Sequence, residues 1–385
     1  MIMRQKDIVY VVASQLGSVG MGITSMEALK GVEKAKLNYK AFSRGYLKEI
    51  PLNKKNLTNY KYLEYLTYPF RFLEKFFGLK INSFKLANNI FGYLVCKNLP
   101  KTKIYHTWVD ISPKAIMKAK KQGATLILEG ANSHPLNISR IMNNEYKKNN
   151  MKQYISNIDE IKKKTNIYNK FDYIMCPSDF VYDSFRNEGF DVKKLIKMPY
   201  GVDTKRFVHR EKNNKKIKFV FVGSVQLRKG VQYLLEAWKE LNFNDAELTI
   251  VGRVWPDANE IPKKYSDLKG VKFVGFGKPE EILKESDVFV SPSLEEGSAL
   301  TCYEAMACGL PLIATYNTGS IARDKKDGFI IMSGDTKSLK DKMKYFYNHR
   351  DEIKKMGKSA RKYVENFTWD NYGKRLADFY KEVLK

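Results

Sequence analysis

Two glutamates, Glu296 and Glu304, bracket the run Gly297-Ser298-Ala299-Leu300-Thr301 inside the stretch VFVSPSLEEGSALTCYEAMACGLPLIAT. Apolar runs at Val288 to Pro292 and Leu310 to Thr315 suit buried parallel strands, and Ala299 to Cys308 between them suits a short helix. Backbone N–H groups from Ser298 to Thr301 would open that helix without intrahelical partners, so with the helix dipole they favour a phosphate. Gly297 lets a ligand approach the backbone closely. Neither carboxylate can hold that anion, so hydroxyl groups are their natural partners. Phosphate-binding amides beside two hydroxyl acceptors suit a nucleotide sugar, with one carboxylate on a sugar diol and the other on the ribose. The same residues admit a plainer role, in which Glu295 and Glu296 cap a helix start and Glu304 is a solvated helical residue.

The elements that must position these groups follow from the pattern around them. Strand, turn, helix and strand here make a right-handed crossover in a parallel sheet. A similar opening occurs at Lys218 to Gly223, KFVFVG, where the turn SVQLRKG leads into a helix from Val231 to Leu241. Arg228 and Lys229 in that turn could neutralise a diphosphate with one planar fork and one flexible point charge, or could simply be solvated. Near the start, the strand Ile8 to Ala13 precedes QLGSVGMGITS, in which Gly17, Gly20 and Gly22 depart from the dinucleotide pattern G-x-G-x-x-G. No acidic ribose partner follows. The loop therefore suits a cleft wall, or a tight turn that touches no ligand. His106 and His134 each follow a strand-like run, where ligands lie in open α/β sheets. His134, in a loop of small and polar residues, is the better functional candidate and His106 the better structural one.

Length and composition set the frame. A chain of 385 residues is too long for one ordinary core, and 43% hydrophobic residues argue against general disorder. The polar, basic stretch after Tyr200, GVDTKRFVHREKNNKKIK, has the character of an interdomain linker. The four cysteines are scattered, which speaks against a disulfide framework or zinc site and fits a reducing cytoplasm. No apolar run is long enough to span a membrane. The balance of 68 basic against 42 acidic residues, net +26, calls for anionic surroundings. Between Tyr60 and Cys96, aromatic residues interleave with Lys and Arg in two expected helices, broken near Pro69 and Gly78. That composition suits the interface of an anionic leaflet, or a helical pair whose aromatics make core.

With these segments in view, the chain resembles the retaining glycosyltransferases of family four. The resemblance rests on the E-x7-E pattern of EGSALTCYEAMACGLPLIAT, on FVFVGSVQLRKGVQYLLEAW, and on CPSDFVYDSF with MPYGVDTKRF. It implies the GT-B architecture, two Rossmann-like α/β domains facing a central cleft. Residues 1–203 would bind the acceptor, 204–216 would link, 217–367 would bind the donor, and a C-terminal helix at 368–385 would cross back to the first domain. It further implies that Glu304 holds the ribose, that Glu296 with the amides of Gly297 to Thr301 holds the sugar, and that Arg228 and Lys229 hold the diphosphate. Gly17, Gly20 and Gly22 would approach from the other domain, and His134 would stand by the anomeric carbon. Ser224 replaces the basic residue that the family often has after the strand.

The expected activity is transfer of a sugar from a UDP- or GDP-sugar to a lipid-linked or glycan acceptor in cell-envelope synthesis, with no cofactor. No Asp-x-Asp motif occurs, which favours neutralisation of the diphosphate without a metal. Nucleic acid is not an expected partner; an anionic membrane surface met through residues 60–96 is, with a cytoplasmic, peripheral location. A sugar-phosphate synthase on the same fold, or a non-catalytic binder of anionic surfaces, would carry many of the same features.

Overall fold

A computed structural model describes residues 5–77, 83–108, 112–151, 158–211, 215–275 and 277–385. Its strands, in chain order, are β1 (Lys6–Leu16), β2 (Tyr39–Tyr46), β3 (Leu57–Asn59), β4 (Thr102–Trp108), β5 (Thr125–Glu129), β6 (Tyr173–Cys176) and β7 (Leu195–Lys197). They continue with β8 (Ile217–Val222), β9 (Ala246–Val251), β10 (Val271–Val274), β11 (Val288–Ser291), β12 (Leu312–Thr315) and β13 (Gly328–Ile331). The first seven form one parallel sheet in the order 3-2-1-4-5-6-7, and the last six form a second in the order 10-9-8-11-12-13. Helices cover both faces of such sheets, so the strands are near-continuous apolar runs: Ile8 to Val12 are all buried, as are Phe219 to Phe221 and Val288 to Val290. This is the two-sheet GT-B arrangement expected from the sequence.

Strand order reverses direction between β1 and β4 in the first sheet and between β8 and β11 in the second. Ligand clefts lie outside the carboxyl ends of strands at such switch points. The loops leaving β8 and β11 hold Arg228, Lys229 and the Glu295 to Ser298 turn; the loop leaving β1 holds Gly17 to Gly20.

Two passages of chain join the halves, and they run side by side. The Val202 N–H donates to the Phe367 carbonyl at 2.9 Å, and Val202 bridges Thr368. The helix Trp369–Val383 then lies against the helix Met21–Lys34 of the first half. Glycines make this approach possible: a Cβ on Gly31 would stand 2.4 Å from the Gly373 Cα. Beneath that helix sits a buried polar cluster. His106 Nε2 lies 3.1 Å from Glu129 Oε2, its Nδ1 meets the Tyr380 hydroxyl, and Trp108 Nε1 donates to the Tyr10 hydroxyl at 2.9 Å. His106 is thus buried and structural.

One expectation about the helices fails. The helix Tyr62–Phe77 runs straight through Pro69, and Gly78 lies outside the described residues. Proline removes one intrahelical bond and crowds the Tyr65 carbonyl, which bends a helix without ending it when the flanking residues favour the helical state. The second helix runs over Ser83–Asn98.

Candidate active site

The switch point of the second sheet is closed by two loops that grip each other. The Arg228 carbonyl accepts from the Leu294 N–H at 2.9 Å, and Gly230, at φ +69°, passes so close to β11 that a Cβ there would lie 1.9 Å from the Pro292 carbonyl oxygen. Only glycine fits that crossing, which brings Arg228 and Lys229 up against the acidic turn. Arg228 Nη1 donates to Glu295 Oε2 and to the Glu295 carbonyl, both at 3.1 Å, and lies 3.5 Å from Glu296 Oε2. Lys229 Nζ pairs with Glu296. Burial, reinforced by Arg228, pushes the Lys229 ammonium down to about 7 against the pull of Glu295. A lysine already largely desolvated, with a guanidinium beside it, is suited to an incoming diphosphate.

The helix of the site spans Leu300–Ala307, with Ala299 at its N-cap, one residue inside each expected end, and the strand after it begins at Leu312 rather than Leu310. No side chain caps this start and no acidic residue occupies its first turn. Asp, Ser, Thr or Asn at a cap would have satisfied an amide; alanine offers the Leu300 and Thr301 amides no side-chain acceptor, while the Ala299 N–H donates to the Thr318 carbonyl at 3.2 Å. Ser298 is turned aside, with its hydroxyl donating to the Gly319 carbonyl at 3.0 Å. One turn into the helix, burial raises the Glu304 carboxyl to about 7; Arg206 pulls it down and Glu280 pushes it up. Arg206 Nη2 is itself engaged by Glu280 at 2.9 Å.

The first half closes over this turn. Gly297 is packed so tightly that a Cβ would lie 1.7 Å from the Ala131 carbonyl oxygen, and the Ser178 hydroxyl donates to the Gly297 carbonyl at 2.5 Å. The Ser133 N–H and hydroxyl both donate to Glu295 Oε1 at 3.1 Å. Further out, Glu145 accepts from Gln232 at 2.8 Å and from the Tyr233 hydroxyl at 2.6 Å. Gly17 and Gly20, at φ +85° and +69°, shape the loop after β1, while a Cβ on Gly22 would strike the Gln15 carbonyl oxygen at 2.3 Å. Val19 at the tip of that loop is 93% exposed.

His134 does not enter the cleft. It is fully buried, its Nδ1 accepts from the Leu136 N–H as the cap of the helix Pro135–Lys148, and its ring lies among Tyr168, Phe185 and Phe190. The physical reason is the following Pro135: proline at the first helical position sets a helix start there, and the capping ring turns toward the aromatic core. Burial, with Arg140 nearby, lowers His134 to about 4, so it is neutral at ordinary pH. Glu295 takes the more connected position, linking Arg228 in one half to Ser133 in the other. Its sequence signal was only its place beside Glu296; Ser133 carried none.

Residues 202–363 match the family model described as glycosyl transferases group 1. The chain spans about half the length of the curated relatives it matches. One, an uncharacterized glycosyltransferase of Methanocaldococcus jannaschii, is 26% identical over 169 residues, which is 43% of this chain and 48% of that protein. Among solved structures, a sucrose-phosphate synthase from Thermosynechococcus elongatus superimposes with a TM-score of 0.66 at 17% identity, covering 98% of this chain and 99% of the other. The Anabaena HepE protein in complex with UDP and glucose gives 0.68 at 14% identity, over 98% of this chain and 100% of the other. At such identities the likeness is one of fold, and the fold is the one assembled above.

Proposed function

We propose that this chain is a retaining glycosyltransferase that moves a hexose from a nucleotide-sugar donor to a lipid-linked or glycan acceptor and neutralises the leaving diphosphate without a metal. The observation that carries the reading is one constellation at the β8–β11 switch point: the Arg228–Lys229 pair, the helix start at Ala299 with no side-chain cap, and Glu304 held near neutrality one turn further on. The HepE structures with UDP and glucose support a donor of this class.

The chemistry follows from where charge develops. The bond from the anomeric carbon to the diphosphate oxygen breaks with its electron pair leaving on the diphosphate, so the sugar gains positive and the phosphate negative charge. Arg228, Lys229 and the amides of Leu300 and Thr301 are preorganised for that negative charge. Arg228 and Lys229 are held meanwhile by Glu295 and Glu296, and donor binding exchanges part of that pairing for phosphate. Freed of Lys229, Glu296 can accept from sugar hydroxyls, and Glu304 from the ribose. The acceptor hydroxyl forms the new bond to the anomeric carbon and gives up its proton. With His134 turned into the core, the departing diphosphate oxygen on the same face is the available base, which retains configuration. The Ser133, Ser178 and Gly297 contacts exclude water and limit donor hydrolysis.

A thermal-shift panel of nucleoside diphosphates and nucleotide sugars tests the reading, because a ligand bound only by the folded state raises stability. A shift with at least one nucleotide sugar, lost in Arg228→Ala, is expected; no shift with any member of the panel defeats the proposal.

A further inference from the structure

The helix Tyr62–Phe77 carries five aromatic residues on the outside. Tyr62, Tyr65, Tyr68, Phe72 and Phe76 are all exposed, with Tyr65 at 58%, Phe72 at 54% and Phe76 at 62%, while Leu63 is fully buried. At 3.6 residues per turn these five positions fall within an arc of about 120°, with Leu63 on the far side. The stripe is continuous: the Phe72 and Phe76 rings lie 4.5 Å apart and the Tyr65 and Tyr68 rings 6.1 Å apart. Taking roughly 200 Å² per aromatic side chain, about half of it exposed, the stripe offers on the order of 500 Å² of apolar surface. That is the upper range for a water-facing patch on a monomer, where such patches mark interaction sites.

Charge identifies the partner. Between Lys48 and Lys85 the sequence holds eight basic residues and three acidic ones. One of those acids, Glu64, is neutralised from within by the buried Arg44, whose guanidinium also lies 5.4 Å over the Phe84 ring. Lys54, Lys55 and Lys61 at the approach to the helix are exposed. An exposed aromatic stripe with exposed lysines at its approach fits the headgroup layer of an anionic bilayer, where rings sit at the acyl boundary and ammonium groups meet phosphate. Among the described residues no helix is long and apolar enough to cross a membrane, so this one would lie in the interface plane.

Position ties the stripe to the reaction. Arg44 and Gly45 lie among the last residues of β2, whose Gly45 and Tyr46 pair with Gln15 and Leu16 of β1, immediately before the Gly17 to Gly20 loop; Lys61 lies beside Gly45. We infer that the helix Tyr62–Phe77 docks this protein on an anionic membrane surface and so presents the acceptor side of the cleft to a head group whose lipid stays in the bilayer. The choice of a lipid-borne acceptor rests on the transferase reading; the docking itself does not.

The test is flotation of the full chain with phosphatidylglycerol or phosphatidylcholine vesicles. The parent is expected to float with the anionic vesicles and to be released by about 0.5 M NaCl, as screening shortens the reach of charge to a few ångströms. Combined Tyr65→Ser, Phe72→Ser and Phe76→Ser should weaken flotation at least tenfold, and Lys54→Glu with Lys61→Glu should weaken it at low salt only. Both variants should keep the parent's nucleotide-induced thermal shift, which shows them folded; absence of that shift in the parent would instead count against the transferase reading. Equal flotation of parent and aromatic variant overturns the inference. So does a parent that ignores vesicles but is a dimer by light scattering and becomes a monomer in the aromatic variant, since the stripe would then be a contact between two copies.

Discussion

Burial holds the carboxyl of Glu304 at about 7, up from an ordinary 4.5. The folded state therefore keeps a proton that the unfolded chain releases between these values, and raising the pH across that window lowers stability on this account. Glu304→Gln, which cannot ionise, should lose this slope and be more stable than the parent at pH 8 by about 1–3 kcal/mol, measured by urea melts at pH 5.5 and 8. Donor binding should move the other way. A hydroxyl bonded to a carboxylate contributes roughly 1.5–3 kcal/mol, so the same variant should bind the donor at least tenfold more weakly. The parent's own donor affinity should fall as pH drops from 8 to 6. A variant that is less stable and binds unchanged would return Glu304 to a structural role. Such an opposition, stability gained where binding is lost, is what a site residue held in an unfavourable state should show.

Helices in this protein are placed by contacts as much as by their own pattern. The Trp369–Val383 helix comes to the Met21–Lys34 helix at a glycine pair, and Gly31→Ala would put a methyl 2.4 Å from the Gly373 Cα. Overpacking of this kind costs about 1–3 kcal/mol, so the melting temperature should fall while nucleotide binding in the second half persists. Gly297→Ala meets backbone rather than a yielding side chain, 1.7 Å from the Ala131 carbonyl oxygen. It should leave nucleotide binding nearly intact but abolish turnover, and small-angle scattering should find a larger radius of gyration than the parent's because the halves cannot close. Unchanged scattering with full activity would mean that the closed form is dispensable.

Across the whole molecule, closure is read through Glu295. It accepts two hydrogen bonds from Ser133 in the first half and holds Arg228 in the second. A donor diphosphate that takes hold of Arg228 therefore alters the same network that joins the halves. Ser133→Ala and Glu295→Gln should be non-additive in donor affinity, with a coupling of about 0.5–3 kcal/mol in a double-mutant cycle, as expected for residues in one network. Additive effects would separate closure from donor binding. The charge of +26 acts at this scale too, favouring the approach of anions in general without deciding the fold.

Much of this was written in local pattern. Buried parallel strands announce themselves by composition, because both faces are covered, and the turns between them carry the glycines, cations and acids that stand out against those apolar runs. So the two sheets, the Glu296–Glu304 turn and the Arg228–Lys229 pair were legible from residue order alone. Directions of side chains were not. His134 sits in a loop that looks functional, yet Pro135 starts a helix there and the ring turns into an aromatic pocket. Pro69 looks like a break, yet the helix continues through it, leaving its aromatic stripe on the surface. Ser133 and Glu295 meet only because two halves remote in sequence come together. Periodicity reports which residues are buried; which neighbours they face is decided by long-range packing, and that is where the contacts between the halves arise.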